Sequence, residues 1–164
     1  MILRYVFIFL TFAFLTNCSD NSTKNELSKQ NEFSPPETQF TQAMLMFDNQ
    51  QYELATDKFK NIERIYPLSN EAIQSQIMLG FINYILLDYD TAIFQFSRII
   101  NKYPSLKNID YVYYMKAICF YEQISHEGLD GAFNDLALEN LDQVIQRFPN
   151  SKYAKDSIQK KILV

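Results

Sequence analysis

The sequence predicts an all-α protein built as a right-handed solenoid of antiparallel helix pairs. One phrase occurs three times along the 164 residues, and each copy ends in an aromatic residue followed by proline, at Pro67, Pro104 and Pro149. Within each copy the apolar residues recur at intervals of three and four, the spacing of one face of an α-helix. The first two prolines lie 37 residues apart, a period typical of stacked helix pairs. Because a single pair cannot bury its apolar face, neighbouring pairs must stabilise one another.

The composition fits one globular domain and excludes several classes of function. Of all residues 48% are hydrophobic and 21% are charged, which provides enough apolar surface for a core. Only 3 Gly, 1 His and 2 Cys occur, so phosphate-binding loops, multi-histidine metal sites and disulfide scaffolds lack their residues. We therefore expect no cofactor and no enzymatic activity. The net charge of −4 offers no basic surplus, so we expect no nucleic-acid partner.

Residues 1–17 are predicted to be a secretory signal peptide. Arg4 precedes an apolar run that is too short to span about 30 Å of hydrocarbon comfortably. The segment Leu15-Thr16-Asn17-Cys18 then resembles the lipobox of bacterial lipoproteins, in which the peptidase cuts before the cysteine. The resemblance implies a mature chain that starts at Cys18 and is held at a membrane by the lipid attached there. The alternative is an uncleaved amino-terminal anchor helix with an incidental cysteine.

A polar tether is predicted between the lipidated cysteine and the folded part. Residues 18–33 are mostly Ser, Asn, Lys, Glu and Gln, which bury too little apolar surface to offset the entropy of ordering the chain. Ser34, Pro35 and Glu37 then have the spacing of a capping box at a helix start. The solenoid is therefore predicted to cover residues 34–164.

The solenoid is predicted to contain three helix pairs and a half repeat, at about residues 34–67, 70–104, 108–149 and 150–164. In each pair a first helix, A, presents one small residue to a second helix, B: Ala43, Gly80 or Ala117. The signature of small residue, Tyr, Ala, aromatic residue and Pro resembles the tetratricopeptide repeat. The third pair is longer, because its prolines lie 45 rather than 37 residues apart. We predict that the excess forms an inserted loop at residues 125–135.

An apolar stripe on the three A helices is the candidate peptide groove. In a tetratricopeptide solenoid the A helices line the concave face, and fixing the small position identifies the residues that project there. The alternative is that the same residues pack between helices as core, and the sequence leaves both interpretations open. The stripe consists of Phe40, Met44, Phe47, Ile77, Phe81, Tyr84, Tyr111, Tyr114, Ile118 and Tyr121.

Two residues with reactive side chains, Cys119 and His126, are predicted to have neither a catalytic nor a metal-binding role. Cys119 lies in the middle of a predicted helix with no second free cysteine in the processed chain, so we predict a small buried hydrophobic residue. His126 lies in the predicted loop, where three carboxylates could complete a weak cation site at most: Glu127, Asp130 and Asp135. We expect a solvated loop and no bound metal there.

These features together resemble the BamD family of outer-membrane protein assembly lipoproteins. Its members combine a lipobox, a short tether and tetratricopeptide units. The stretch from Asp110 to Ile124, with its Asp-Tyr-x-Tyr-Tyr-x-Lys start and Tyr-Glu-Gln end, is similar to their third repeat. The resemblance implies a protein on the periplasmic face of the outer membrane that binds unfolded outer-membrane proteins. It also implies two kinds of protein partner, the β-barrel assembly insertase and other assembly lipoproteins.

The resemblance is incomplete at the carboxy-terminal end. Family members usually carry five repeats, of which the last dock the barrel component, whereas three and a half are predicted here. Whether this chain docks the barrel component therefore stays open. Two alternatives also stay open: an envelope tetratricopeptide lipoprotein that scaffolds cell-wall or division enzymes, and a truncated, inactive gene product. A hydrolytic envelope enzyme is disfavoured, because no nucleophile is paired with a base.

Overall fold

The structure is a computed structural model that describes the backbone of residues 34–127 and 131–164. These two ranges contain seven α-helices and no strand, which confirms the predicted all-α repeat fold. Cys18, the signal peptide and the tether lie outside the described residues. The helices are α1 (Pro36–Asp48), α2 (Tyr52–Ile65), α3 (Asn70–Ile85), α4 (Tyr89–Lys102), α5 (Ile109–Glu127), α6 (Gly131–Arg147) and α7 (Lys152–Leu163).

Consecutive helices pack against each other, and successive A helices also touch. Helices α1, α3, α5 and α7 are the A helices, and α2, α4 and α6 are the B helices that follow the first three of them. Each helix contacts the next one along the chain. In addition α1 contacts α3, α3 contacts α5 and α5 contacts α7, whereas no two of the described B helices make a comparable contact. The A helices therefore form one continuous face.

Proline and serine set the helix boundaries. Each B helix ends one residue before the aromatic residue of its Tyr-Pro or Phe-Pro step, where the proline disfavours helical geometry. Two residues after Pro67 and after Pro149, a serine caps the next A helix. Ser69 Oγ accepts a hydrogen bond from the Ala72 N–H at 3.0 Å, and Ser151 Oγ accepts one from the Ala154 N–H at 3.1 Å. At these two junctions the same short sequence thus ends one pair and starts the next.

The turns from A helix to B helix have the same backbone in the first two pairs. Gln50 and Leu87 lie 37 residues apart, and both adopt the left-handed region, with φ of 61° and 62°. In the second turn the Asp88 N–H donates to the Asn83 carbonyl at 2.9 Å, and the Leu87 N–H donates to the Tyr84 carbonyl at 3.0 Å. This pattern closes the helix end as a Schellman motif. The chain reverses within three residues, so each B helix starts beside the end of its A helix.

Each B helix contributes three fully buried residues to a core between two A helices. In each helix the second lies four residues after the first and the third lies three residues after the second, so they share one face of the helix. Burying one of the larger side chains, such as Phe59 or Leu141, stabilises the folded state by roughly 1.5–3 kcal/mol. The residues are Ala55, Phe59 and Ile62 in α2, Ala92, Phe96 and Ile99 in α4, and Ala137, Leu141 and Val144 in α6.

The small A-helix residues mark where each pair comes closest. At Gly80 an added Cβ would lie 2.8 Å from Cε1 and 3.0 Å from Cζ of Phe96. Ala43 and Ala117 occupy the same position in the other two pairs, and both are fully buried. The ring of Phe96 therefore fills the space that a methyl group would need in the second pair.

The predicted inserted loop at residues 125–135 is wrong in its extent. Helix α5 continues to Glu127 and α6 begins at Gly131, so only residues 128–130 fall outside the described backbone. The two helices have 19 and 17 residues, compared with 16 and 14 in the second pair. The apolar residues Phe133, Leu136 and Ala137 continue the helical spacing of α6, so the extra sequence lengthens the helices. His126 belongs to α5, and its side chain lies outside the description.

Candidate functional site

The ten residues of the predicted stripe divide into two groups by burial. Ile77 and Ile118 are buried, with 6% and 4% of their surface exposed. The other eight are half-buried. Half-burial is common to a recognition surface and to a contact between helices, so the neighbours of each side chain distinguish the two uses.

Five aromatic side chains from α1 to α4 form a continuous row, here called the aromatic run. The ring of Phe47 lies 5.7 Å from Tyr52 and 5.9 Å from Phe81 between centroids. Phe81 stacks on Tyr84 at 6.0 Å with an interplanar angle of 14°, and Tyr84 lies 5.9 Å from Tyr89. These distances are typical of favourable aromatic pairs. The aromatic run thus crosses from the first helix pair to the second, and all five rings are half-buried.

Two members of the aromatic run, Tyr52 and Tyr89, are absent from the predicted stripe. Both occupy the Tyr position of the repeat signature. Each is the first residue of a B helix, and the tight turn before it brings its ring beside the A-helix stripe. Their 37-residue spacing and their position after the turn were the available signals.

The tyrosine side chains that α5 contributes to the stripe contact α7. The ring of Tyr153 lies 5.5 Å from Tyr111 and stacks on Tyr114 at 5.0 Å. Tyr114 Oη donates a 2.5 Å hydrogen bond to Asp156 Oδ2. Part of the stripe therefore serves as the contact between two A helices.

Two further contacts extend this engagement along α7. Lys160 Nζ lies 5.1 Å above the ring of Tyr121 and 3.6 Å from Asp156 Oδ2.

At the other end of the stripe, the ring of Phe40 lies 5.6 Å from the buried Phe59, so it packs on the first core. Met44 packs against the same core. Phe47, Phe81 and Tyr84 also pack against the cores on one side, and they are the stripe residues whose rings join the aromatic run.

The tyrosine hydroxyls of this face are held in their neutral form. Burial raises the pKa of Tyr84, and the nearby Glu122 carboxylate raises it further. Burial raises the pKa of Tyr111 to about 12. The pKa of Tyr114 is raised by burial first and by its hydrogen bond to Asp156 second. At neutral pH all three groups are protonated and can donate hydrogen bonds.

Cys119 is fully buried in the core between α4 and α5, as the sequence predicts. Burial raises the pKa of its thiol to about 12, so it is not a thiolate at neutral pH. Within residues 34–127 and 131–164, no three His, Cys, Asp or Glu side chains meet in a way that could hold a metal ion. None of the described helices has the length and apolar character needed to cross a bilayer.

One family matches nearly the whole folded part. The family is described as YfiO, outer membrane lipoprotein, and the match covers residues 33–163. It begins just before α1 and ends with α7. The matched region therefore contains every helix of the described structure.

Similar proteins from three bacteria carry the name outer membrane protein assembly factor BamD. The protein of Caulobacter vibrioides is 32% identical over 148 residues, which cover 90% of this chain and 48% of the relative. That of Rickettsia prowazekii is 28% identical, covering 87% and 55%, and that of Pasteurella multocida is 27% identical, covering 94% and 60%. The chain thus spans about half the length of the curated relatives it matches.

Proposed function

The chain belongs to the YfiO family of outer membrane lipoproteins, and from this membership we propose that it acts in outer-membrane protein assembly. In this proposal it binds extended segments of unfolded outer-membrane proteins without covalent chemistry. A lipid at Cys18 would hold it on the periplasmic face of the outer membrane. The assembly role named in the relatives supports a role in outer-membrane protein assembly. The lipobox-like segment that ends in Cys18 supports the lipid anchor.

The aromatic run is the observation that carries the binding proposal. Its rings are half-buried, so each is fixed by packing on one side and presents surface on the other. Rigid aromatic surface of this kind offers large contact area at low entropic cost. The neutral hydroxyl of Tyr84 adds a donor for the carbonyl groups of an extended chain. An unfolded segment with apolar side chains matches this combination.

The proposal is limited to what these helices can do. Because the chain spans about half the length of its relatives, contact with the β-barrel insertase and with other assembly lipoproteins is a separate proposal. Affinity capture from solubilised envelopes tests it with the lipidated full chain as bait. Recovery of the insertase supports it. Recovery of peptidoglycan enzymes in its place would support the scaffolding alternative.

A binding measurement with matched variants tests the client-binding proposal. Tyr84→Ala removes the centre of the aromatic run. Phe94→Ala removes a ring that is 64% exposed on the B helix α4, outside the run. Fluorescence anisotropy of a dye-labelled outer-membrane protein, diluted from urea, reports the affinity. We expect Tyr84→Ala to weaken binding by at least about tenfold, equivalent to ~1.4 kcal/mol, and Phe94→Ala to leave it unchanged. Equal affinities for the two variants would contradict the proposal.

A further inference from the structure

One edge of the solenoid is basic and the opposite edge is acidic. The basic edge consists of the loops at residues 66–69, 103–108 and 148–151, the helix halves that adjoin them and the first half of α1. Among the described residues it carries eight exposed Lys and Arg side chains and one exposed carboxylate, Glu37. The acidic edge contains the turns from A helix to B helix, and in the described part of the chain it has no exposed Lys or Arg. Its exposed carboxylates are Asp48, Glu53, Asp57, Asp88, Asp90 and Asp135.

Helix dipoles account for only part of this separation of charge. Arg64 and Lys102 lie in the last turns of B helices, where a positive charge is favourable. Lys152 and Lys155 lie in the first turn of α7, where the dipole disfavours a positive charge. An anion outside the protein would offset the cost of placing these two lysines there.

The protein neutralises few of the exposed cations of the basic edge. Arg98 pairs with Glu63 at 2.7 Å. Lys60, Lys107 and Lys155 form no ion pair with any described residue. These three lysines lie in α2, in the loop before α5 and in α7, so unpaired positive charge extends along the edge from the first pair to the half repeat.

The basic edge also presents an apolar side chain. Leu68, in the loop between α2 and α3, is 97% exposed. Tyr66 and Tyr103 lie in two loops of the same edge and are half-buried. Lysine, arginine and tyrosine beside an exposed leucine are typical of surfaces that lie in the headgroup region of a bilayer.

The polypeptide enters the fold at this edge. Pro36 is the first residue of α1, and Cys18, the predicted lipid attachment site, precedes it by 18 residues in the sequence. A lipid at Cys18 would keep the edge within a short chain length of the bilayer, since each residue spans at most about 3.6 Å. The headgroups of that bilayer then have a high effective concentration at the edge, so a weak attraction is enough. A soluble acidic protein lacks this advantage.

We propose that the basic edge rests on the anionic headgroups of the bilayer that holds the lipid anchor, with the acidic edge pointing away from it. The inference rests on the lipid anchor in the proposed function. A surface of anionic headgroups offers negative charge to every part of the basic edge and repels the acidic edge, so the two edges together orient the solenoid.

An environment-sensitive dye at two matched leucines tests the orientation. Leu68→Cys places the dye on the basic edge, and Leu86→Cys places it on the acidic edge, at a side chain that is 56% exposed. Cys119 is buried and Cys18 would carry the lipid, so only the introduced thiol reacts. The lipidated full chain is reconstituted into vesicles of phosphatidylcholine, with or without phosphatidylglycerol. We expect a blue shift of the emission at position 68 only when phosphatidylglycerol is present, and no shift at position 86 in either vesicle.

Two double variants with equal net charge test the role of the lysines. Lys60→Gln with Lys107→Gln removes two positive charges from the basic edge, and the docking constant from the dye at position 68 should fall at least about tenfold. Asn49→Asp with Gln51→Glu adds two negative charges at the acidic edge. Those charges lie about 20 Å away along the helices, beyond the screening length of about 8 Å, so the constant should stay within about twofold of the parent value. Thermal unfolding near the parent temperature shows that both variants are folded.

Several results would overturn the inference. They are equal shifts at positions 68 and 86, an equal shift at position 68 without phosphatidylglycerol, and a docking constant that the lysine variant leaves unchanged. No shift at position 68 with phosphatidylglycerol would also overturn it and leave an acidic protein as the partner that fits the edge.

The labelling step separates this inference from the lipid anchor. A parent chain that takes up dye at Cys18 would refute the anchor and the inference together. A lipidated chain whose dye at position 68 does not respond would refute the inference alone. Client binding is measured independently with Tyr84→Ala.

Discussion

The hydroxyl of Tyr114 in α5 donates a 2.5 Å hydrogen bond to the carboxylate of Asp156 in α7. The same tyrosine stacks on Tyr153 at 5.0 Å, so one side chain attaches the last described helix through both a polar and an apolar contact. Ala154 and Ser157 are buried beside these contacts, whereas Ile162 is 79% exposed. The first half of α7 is therefore fixed on α5, whereas the apolar side chain of Ile162 near the end of the helix is largely uncovered.

The half-buried tyrosines Tyr111 and Tyr114 of α5 predict a loss of stability in alkali. Because the pKa values of Tyr111 and Tyr114 are raised, the native state retains these protons more strongly than the unfolded chain, where tyrosine titrates near 10. Their contribution is fully present below about pH 10 and is lost as the pH rises through the folded values. Urea unfolding between about pH 9 and pH 12 measures this loss.

The double variant Tyr111→Phe with Tyr114→Phe isolates the effect. It should be less stable than the wild type at neutral pH, because Asp156 loses its donor, but its stability should fall less steeply in alkali. Tyr113→Phe changes a neighbouring tyrosine that contacts Phe148 and should keep the wild-type slope. Identical slopes for the double variant and the wild type would show that these two hydroxyls are not the cause.

The contact between Gly80 and Phe96 predicts that a methyl group is harmful in the second pair. Alanine normally gains up to about 1 kcal/mol over glycine inside a helix. At this site the new Cβ would lie 2.8 Å from the buried Phe96 ring, and overpacking typically costs about 1–3 kcal/mol. We expect Gly80→Ala to lower the free energy of unfolding by up to about 2 kcal/mol in urea titrations. Adding Phe96→Leu should recover part of that loss relative to Phe96→Leu alone, and strict additivity would contradict the steric explanation.

The helix pairing was predictable because its signals are local and repeated. Phe59 and Phe96 each lie four residues after a buried alanine and eight before a proline, and these spacings alone indicate one buried face and one helix end. The inserted loop was mispredicted because the eight extra residues of the third pair were assigned to a connection between its helices. In the structure Gly131 is the first residue of α6, where a helix tolerates it better than in its interior.

The use of each stripe residue was not predictable, because it depends on neighbours that are distant in sequence. Ile118 and Phe81 occupy the same repeat position, yet Ile118 is 4% exposed and Phe81 is half-buried. Tyr114 is covered by residues of α7 that lie about forty positions further along. Helical spacing identifies the face of a residue, but it cannot identify which other helix covers that face.

Two buried serines at the same repeat position predict different effects of the same substitution on stability. Ser75 and Ser157 are both fully buried, six residues after the serine caps of α3 and α7. Ser157 Oγ donates to the Tyr153 carbonyl at 2.8 Å, whereas Ser75 Oγ has no hydrogen-bond partner. Removing an unsatisfied buried hydroxyl recovers about 1 kcal/mol or more. Ser75→Ala should therefore raise the urea midpoint, and Ser157→Ala should raise it less or lower it. A larger gain at Ser157 would contradict this explanation.

The proposed lipid anchor depends on one cysteine. Of the two cysteines, Cys18 is the one in the lipobox-like segment, and Cys119 is buried in the core. We expect Cys18→Ala to abolish labelling by a fatty-acid analogue and processing by the lipoprotein peptidase, while Cys119→Ala leaves both unchanged. Unchanged labelling of the Cys18 variant would exclude the anchor.

Photo-crosslinking in growing cells tests the central claim that the aromatic run contacts unfolded clients. A photoreactive phenylalanine analogue is placed at Tyr84 in the run and, in a second strain, at Phe94 on the B helix α4, with newly made outer-membrane proteins labelled in a short pulse. The two sites both carry aromatic rings, so the substitution itself is matched. The account predicts that labelled outer-membrane proteins crosslink at position 84 and not at position 94. Crosslinks at position 94 without crosslinks at position 84, or equal crosslinking at both, would contradict it.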